Sequence, residues 1–309
     1  MIRFLLRRLV LALPILWGVA TLVFLLMRVT GDPLEVMYGG SNDPGVLALK
    51  EQRRRELGMD RPLPVQYVAF LADAAHLDLG RSVVTRRPVS TMLLERLPTT
   101  LELGLAAMAI AMIIAVPIGI ISATRRNTWL DDVSMVGALL GVSVPNFWLG
   151  LMLMLVFSLY LGWLPASGQG SWQTLVMPAV ALGLAYAALQ TRLIRSTMLE
   201  VLGQDYIRTA RAKGLASRAV LIRHGLRNAL IPVTTVVGIQ IGQIVGGSVI
   251  IEQVFGRDGI GSLMIKSIFN RDYPVVQGGV LLLAFAVVAA NLLVDLVYVL
   301  IDPQIRVDA

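Results

Sequence analysis

Polar and apolar positions in this chain are sorted into long blocks. Stretches free of Asp, Glu, Lys and Arg run from Leu9 to Met27, Leu103 to Thr124, Val133 to Thr191, Asn228 to Ile251 and Tyr273 to Val294. Each is long enough for a helix to cross about 30 Å of hydrocarbon. The third is roughly twice the length that one helix needs. Its middle, Gly162-Trp163-Leu164-Pro165-Ala166-Ser167-Gly168-Gln169-Gly170, is a cluster of breakers with Trp163 and Trp172 as interfacial aromatics. The pattern predicts an all-α integral membrane protein with six transmembrane helices, at about 9–29, 99–122, 133–161, 175–192, 229–251 and 274–300. No fixed-period repeat or low-complexity linker divides the chain, so residues 1–309 form a single transmembrane domain.

An even number of spans puts both termini on one side, and basic residues choose the side. Arg3, Arg7 and Arg8, then Arg125 and Arg126, then eight basic residues from Arg192 to Arg227, then Arg306 all fall on one face, which is expected to be cytoplasmic. The segment 30–97 on the opposite face carries nine basic and nine acidic residues, a balance with little influence on orientation. The basic, apolar N-terminus imitates a secretory signal. Its apolar stretch is too long for one and leads into Arg28-Val29-Thr30-Gly31-Asp32-Pro33, so it is read as a retained first helix.

The net charge of +7 is concentrated in the predicted cytoplasmic segments, where anionic lipid accounts for it and nucleic acid is not required. With no cysteine, and with His76 and His224 in loops on opposite faces, the chain offers no disulfide and no His/Cys metal site. It also lacks a Walker A loop. The nearest approach, Gly256 to Gly261 followed by Ser262, has no lysine at the required place. An intramembrane hydrolase would need a nucleophile and a base within reach, and neither histidine lies in a span.

Two loops stand out. The 30–97 segment reads as helical stretches punctuated by turns within Leu57 to Tyr67 and Leu77 to Ser82. It is equally suited to docking an external partner and to capping the span ends. The 193–228 loop reads as a short helix through Tyr206, Ile207, Arg208, Thr209, Ala210, Arg211 and Ala212, a turn at Lys213-Gly214-Leu215, and a second helix from about Ser217. Ile207, Ala210, Ala212 and Gly214 are the small or apolar contact points of such a knob. An ordinary basic loop retained for its charge is the alternative.

Tyr206 to Leu215 and Arg223-His224-Gly225-Leu226-Arg227-Asn228-Ala229-Leu230-Ile231-Pro232 resemble the coupling loop of binding-protein-dependent ABC permeases. The resemblance is specifically to the B-type subunit of the dipeptide, oligopeptide and nickel group. It extends through Gly31-Asp32-Pro33, Pro98 to Leu103, Val142 to Phe147, Gly246 to Glu252, Arg271 to Gln277, Asn291 to Asp295 and Asp302-Pro303-Gln304-Ile305-Arg306. The glutamate that opens the general ABC-permease loop is replaced here by Arg208, while Ala210 and Gly214 keep their places.

The resemblance implies a type I importer permease of a bacterial inner membrane, with both termini cytoplasmic. It implies as partners a homologous second permease, two cytoplasmic ATPase subunits and an extracytoplasmic binding protein. No cofactor belongs to this chain, ATP and Mg being used by the ATPases. Coupling would involve Tyr206, Ile207, Arg208, Thr209, Ala210, Ala212, Lys213, Gly214, Leu215, Arg223 and His224. The cargo would be a di- or oligopeptide, or else glutathione or a nickel chelate.

Polar side chains inside apolar spans are expensive and face protein or water, which selects a path. Glu102, Asn146, Gln190, Gln240, Gln243, Asn291 and Asp295 qualify. Gln240 and Gln243 are expected to share one helical face, and Asn291 and Asp295 are equally suited to bonding between helices. Gly238, Gly242, Gly246 and Gly247 would allow close helix approach, and Pro117 and Pro145 are expected to kink their helices. A gradient-driven carrier is the rival of a different class, although repeated broken helices with midplane charges are not visible.

Overall fold

The computed structural model describes the backbone of residues 2–29, 34, 39, 43–56 and 58–301; the side chains of 2–7, 9, 245, 247, 294, 295 and 297–301 fall outside the description. Gly31-Asp32-Pro33 and Asp302-Pro303-Gln304-Ile305-Arg306 lie outside the described residues. In chain order the helices are α1 (Ile2–Val29), α2 (Pro44–Glu56), α3 (Leu63–Ala75), α4 (Val89–Thr124), α5 (Trp129–Ser143), α6 (Asn146–Leu153), α7 (Trp172–Leu202), α8 (Asp205–Ala212), α9 (Arg227–Val254), α10 (Ile260–Phe269) and α11 (Tyr273–Ile301). A π-helical stretch, Met154–Tyr160, extends α6, and Ser217–Ala219 with a second one, Val220–Leu226, leads into α9.

Among the described residues four helices are long and apolar enough to cross a membrane unbroken, namely α1, α4, α7 and α11. Two further helix pairs among the described residues are long and apolar enough only when each bent pair is taken together. Trp129–Ser143 and Asn146–Tyr160 meet at 101°, and Ser217–Ile244 and Ser248–Val254 meet at 50°. The expected continuous third span, 133–161, is therefore two half-helices, and Pro145 breaks it far more sharply than an ordinary proline kink. Val144 sits in the extended region at φ −84°, ψ 124°, as a residue preceding proline prefers, and this ends α5. By contrast, Pro98 and Pro117 lie inside one helix, α4.

The broken third span still carries the chain from one end of the bundle to the other. Asp131, in its first turn, pairs with Arg195 near the end of α7. Beyond its far end, Gly168 donates its N–H to the carbonyl of Phe255 (3.2 Å). Likewise the second bent pair begins with Gly225 against Met198 of α7 and ends at Phe255. One end of the bundle thus gathers α8 and the basic 192–228 region, and the other gathers the 79–88, 162–170 and 255–259 turns.

The bundle is built around α4 and α7. Every fourth residue of α4 from Ala107 through Ala111, Ala115 and Gly119 to Ala123 is buried. On α7, Gly183 and Ala187 are buried too. A Cβ at Gly183 would stand 2.6 Å from the Ala107 carbonyl oxygen, and one at Gly119 would stand 2.7 Å from Ile194. In a bilayer, where helices gain nothing from hiding apolar surface, such backbone approach through small residues supplies the packing attraction. On α9, Gly242 faces Val287 of α11 within the chain, whereas Gly246 opens onto free space.

Helix α4 begins at Val89, well before the expected start at 99, and at ~1.5 Å per residue it outruns the hydrocarbon. Its first turns are held by a cluster of Val89, Met92 and Leu93 with Ile260, Leu263, Met264 and Val275. Asp272 joins the preceding turn to the start of α11, accepting from the Ser82 hydroxyl and from the Val83 N–H (3.0 Å). Of the two roles open to the 30–97 segment, residues 79–89 perform the capping one.

The α4–α7 contact yields a test by thermal unfolding in detergent. Gly183→Val should destabilise the chain by about 1–3 kcal/mol through overpacking. Gly137→Ala on α5, where nothing lies within 4 Å, should leave stability equal or raised by up to about 1 kcal/mol.

Candidate functional site

Helix α8 is only eight residues long, too short to persist without tertiary support. Ile207 and Ala210, three apart, supply that support by packing into a cluster with Val220 and the half-buried Leu202. This corrects the expectation that both side chains are contact points for a partner, because they are turned into the chain's own structure. The face left outward carries Tyr206, Arg208, Thr209, Arg211, Ala212, Lys213, Gly214 and Leu215.

The end of α8 is set by hydrogen-bond geometry. Leu215 N–H reaches back to the Ala210 carbonyl (3.4 Å) and Gly214 N–H to that of Arg211 (3.0 Å), the paired bonds of a Schellman cap. Gly214 stands at φ +77°, the left-handed position that this cap needs. The chain then turns into the helix beginning at Ser217. Asn228 closes the unit by donating to the Tyr206 hydroxyl (3.0 Å) and to the His224 carbonyl (2.9 Å). Arg223 is exposed and His224 half-buried on the π-helical stretch, whose buried Gly225 lies against Met198 and Leu202.

The predicted path residues are not gathered into one surface. Gln240 is buried and accepts from the amide nitrogen of Gln190 (2.6 Å), joining α9 to α7 beside Met108 of α4. Among the described residues the Gln190 amide oxygen and the Gln240 amide nitrogen have no hydrogen-bond partner. Gln243 is exposed, so the two amides of α9 do not share an environment as expected. Glu102 is exposed on α4 and accepts from Arg257 (2.7 Å); Asn146, half-buried, opens α6; Asn291 is exposed on α11. The Asp295 side chain lies outside the described residues.

Besides Asp272, two buried carboxylates at opposite ends of the bundle, Asp131 and Glu252, are not among the site residues expected from the sequence. Asp131 takes a two-pronged bond from Arg195 (2.6 and 2.7 Å), the Ser122 hydroxyl and the Asn127 N–H (3.0 Å). It locks the ends of α4, α5 and α7 together. At the other end Glu252 accepts from Thr100 (2.7 Å), Ser248 (3.2 Å) and the Ser262 N–H in the first turn of α10 (3.1 Å). A Cβ at Gly259 would be 2.3 Å from that carboxyl carbon, and one at Gly261 would be 2.4 Å from the Val249 backbone. The glycines that imitate a phosphate loop are therefore there for close approach. The N-terminus of α10, a natural anion position, is already filled by the chain's own carboxylate. The available signal was an acidic residue within an apolar block followed by spaced glycines.

Two family descriptions match the chain. The binding-protein-dependent transport system inner membrane component matches residues 115–307, and the N-terminal part of such a membrane component matches residues 1–104. The glutathione transport system permease protein GsiC of Salmonella choleraesuis (strain SC-B67) is 44% identical over 307 residues, covering 99% of both chains. GsiC of Escherichia coli (strain K12) is 42% identical with the same coverage. Among solved structures, a chain of the MetNI methionine ABC transporter in inward-facing conformations superposes with a TM-score of 0.59. It is 19% identical and spans 68% of this chain and 96% of its own. At that identity the likeness concerns the fold alone.

Glu252→Ala should lower stability by about 3 kcal/mol or more, since it orphans several buried donors at once, and Glu252→Gln should lower it less. For the amide pair, Gln190→Met alone should destabilise by about 1–3 kcal/mol, with Gln190→Met/Gln240→Met closer to wild type because no buried amide is then left unpaired. Thermal unfolding in one detergent reads both series.

Proposed function

The chain belongs to the binding-protein-dependent transport system inner membrane components, permeases of ABC importers, and from that premise we propose that it forms half of a translocation unit for short peptides, glutathione among them. A gradient-driven carrier is set aside by the same membership. The other half is a homologous second permease. Two cytoplasmic ATPase subunits, using ATP and Mg, supply the energy, and an extracytoplasmic binding protein delivers the cargo. The basic end, with α8, faces the cytoplasm and the ATPases, in line with the bias of short loops toward Arg and Lys. The 79–88, 162–170 and 255–259 turns face the binding protein.

The observation that carries this reading is the construction of α8. At eight residues α8 needs tertiary support in any role, and what marks it is that its buried anchor and hydrogen-bonded cap hold an outward row of mixed small, aromatic and basic residues in a fixed orientation. Here Ile207 and Ala210 tie the helix to Leu202 of α7 and to Val220 ahead of α9. Any displacement imposed on its outward face passes to two spans as rigid-body motion. Residues Tyr206, Arg208, Thr209, Ala212, Lys213, Gly214 and Leu215 form the seat for the ATPase, and Ile207 and Ala210 transmit.

Along the path, the buried Gln190–Gln240 pair lies where α4, α7 and α9 meet, and Gln243, Glu102, Asn146 and Asn291 offer polar groups at other levels. Asp295 is retained with them on its sequence alone. Glutathione as cargo is supported by the full-length similarity to permeases of that name. It is itself a short peptide, so the two cargo readings share one chemistry.

The test uses the assembled complex in proteoliposomes. Gly214 has open space around it, so substitution there acts through the backbone: a β-branched side chain is strained at φ +77°, whereas Asn tolerates it. Gly214→Val should lower cargo-stimulated ATP hydrolysis at least tenfold while basal hydrolysis persists, and Gly214→Asn should restore most of it. Full stimulation in Gly214→Val would refute coupling through α8. Uptake of labelled glutathione and dialanine tests the cargo, and transport of neither would refute the peptide reading.

A further inference from the structure

Helix α3 lies against the outer part of a membrane span. The Thr21 and Tyr67 hydroxyls are 2.7 Å apart, and the Phe24 ring lies 5.3 Å from that of Tyr67 and 5.7 Å from that of Phe70. Thr21 and Phe24 belong to the apolar window Val10–Val29. At about 1.5 Å per residue they lie roughly 12 and 8 Å inside its end. Helix α3 therefore reaches to the boundary where headgroups meet acyl chains, which suits its own outward residues Leu63, Val65 and Val68.

Beside it, between α1, α3 and the first turns of α11, is a cavity of about 340 Å³. Phe24, Phe70 and Leu281 give it apolar walls, and charged groups of both signs form its rim. Several of these are already engaged. Arg28 donates to Gln66, Arg55 lies 3.8 Å from Glu51, Glu56 pairs with Arg53 (2.6 Å), and Asp78 accepts from the Gly80 N–H (2.9 Å). The side chains of Arg61, Arg81 and Asp73 also line the cavity, and among the described residues none of the three has a partner.

We propose that this cavity binds the headgroup of a zwitterionic phospholipid. The phosphodiester is held by the forks of Arg61 and Arg81, whose planar donors suit its oxygens, and the primary ammonium is held by Asp73. Lipid is favoured over a dissolved zwitterion by depth and by continuity: Leu22, Leu25 and Leu26, exposed on α1 next to Phe24, give the acyl chains a surface to follow. The inference uses no feature of the transport cycle and stands apart from the cargo reading.

The experiment is native mass spectrometry of the complete chain, purified with whatever subunits it retains and stripped of lipid in detergent. The chain is then titrated with short-chain phosphatidylethanolamine, phosphatidylglycerol or glycylglycine. One saturable phosphatidylethanolamine per chain is expected, with occupancy at least tenfold lower in Arg61→Ala/Arg81→Ala. Asp73→Asn should weaken phosphatidylethanolamine and leave phosphatidylglycerol unchanged. Arg61→Lys/Arg81→Lys, which keeps the charge and loses the forks, should fall between, and serves if the alanine variant fails to fold. Equal or tighter binding of phosphatidylglycerol to wild type, displacement by glycylglycine at equal concentration, binding unaffected by the arginine variants, or no adduct would each overturn the proposal.

Discussion

The backbone contact between α4 and α7 is the constraint on which the rest of the molecule depends. With Gly183 pressed against the Ala107 carbonyl and Gly119 against Ile194, the two helices approach too closely for larger side chains at the seam. Without a hydrophobic driving force inside a bilayer, this fit does what an apolar core does in water. The remaining helices are arranged around the pair: α5 and α6 lie on α7, α9 touches both, and α11 brings α1 with it.

Each end of that pair is then pinned by a carboxylate. Asp131 joins α4, α5 and α7 at the end carrying α8, and Glu252 joins α4, α9 and α10 at the other. Between the pinned ends lie the two bent pairs, α5–α6 and the helix that runs into α9. The first bend sits where Pro145 ends regular helix, and the second lies between Ile244 and Ser248 inside α9, a stretch with two glycines. A bundle with tied ends and interrupted middles suits a permease, whose helices must move as bodies without coming apart.

The short helix α8 divides its residues between an inward anchor and an outward face. Its apolar pair is spent inward on Val220 and Leu202, and its glycine is spent on a cap. Its outward face keeps Arg208, Arg211, Ala212 and Lys213 exposed, while Tyr206, Gly214 and Leu215 also serve to hold the unit together. The same division appears at the opposite end, where residues 79–89 cap the bundle while α3 rests against α1.

Residue order alone determined the helical class, the approximate places of the long apolar helices, and the short helix, glycine turn and second helix of the 193–228 region. Long uncharged runs, breakers and a glycine before a new helix are local signals, and local sterics and solvation suffice to read them. The resemblance supplied by ordered motifs such as Tyr206 to Leu215 and Arg223 to Pro232 led to the family. What only the tertiary structure decided is direction. Ile207 and Ala210 point inward, Gln240 meets Gln190 while Gln243 stays exposed, and Glu252 caps α10. In spans that are apolar on all sides, hydrophobic periodicity cannot say which face meets protein, because lipid and protein interior are alike to an apolar side chain. The facing is decided by where small residues let backbones meet and where a buried polar group finds its partner across the bundle.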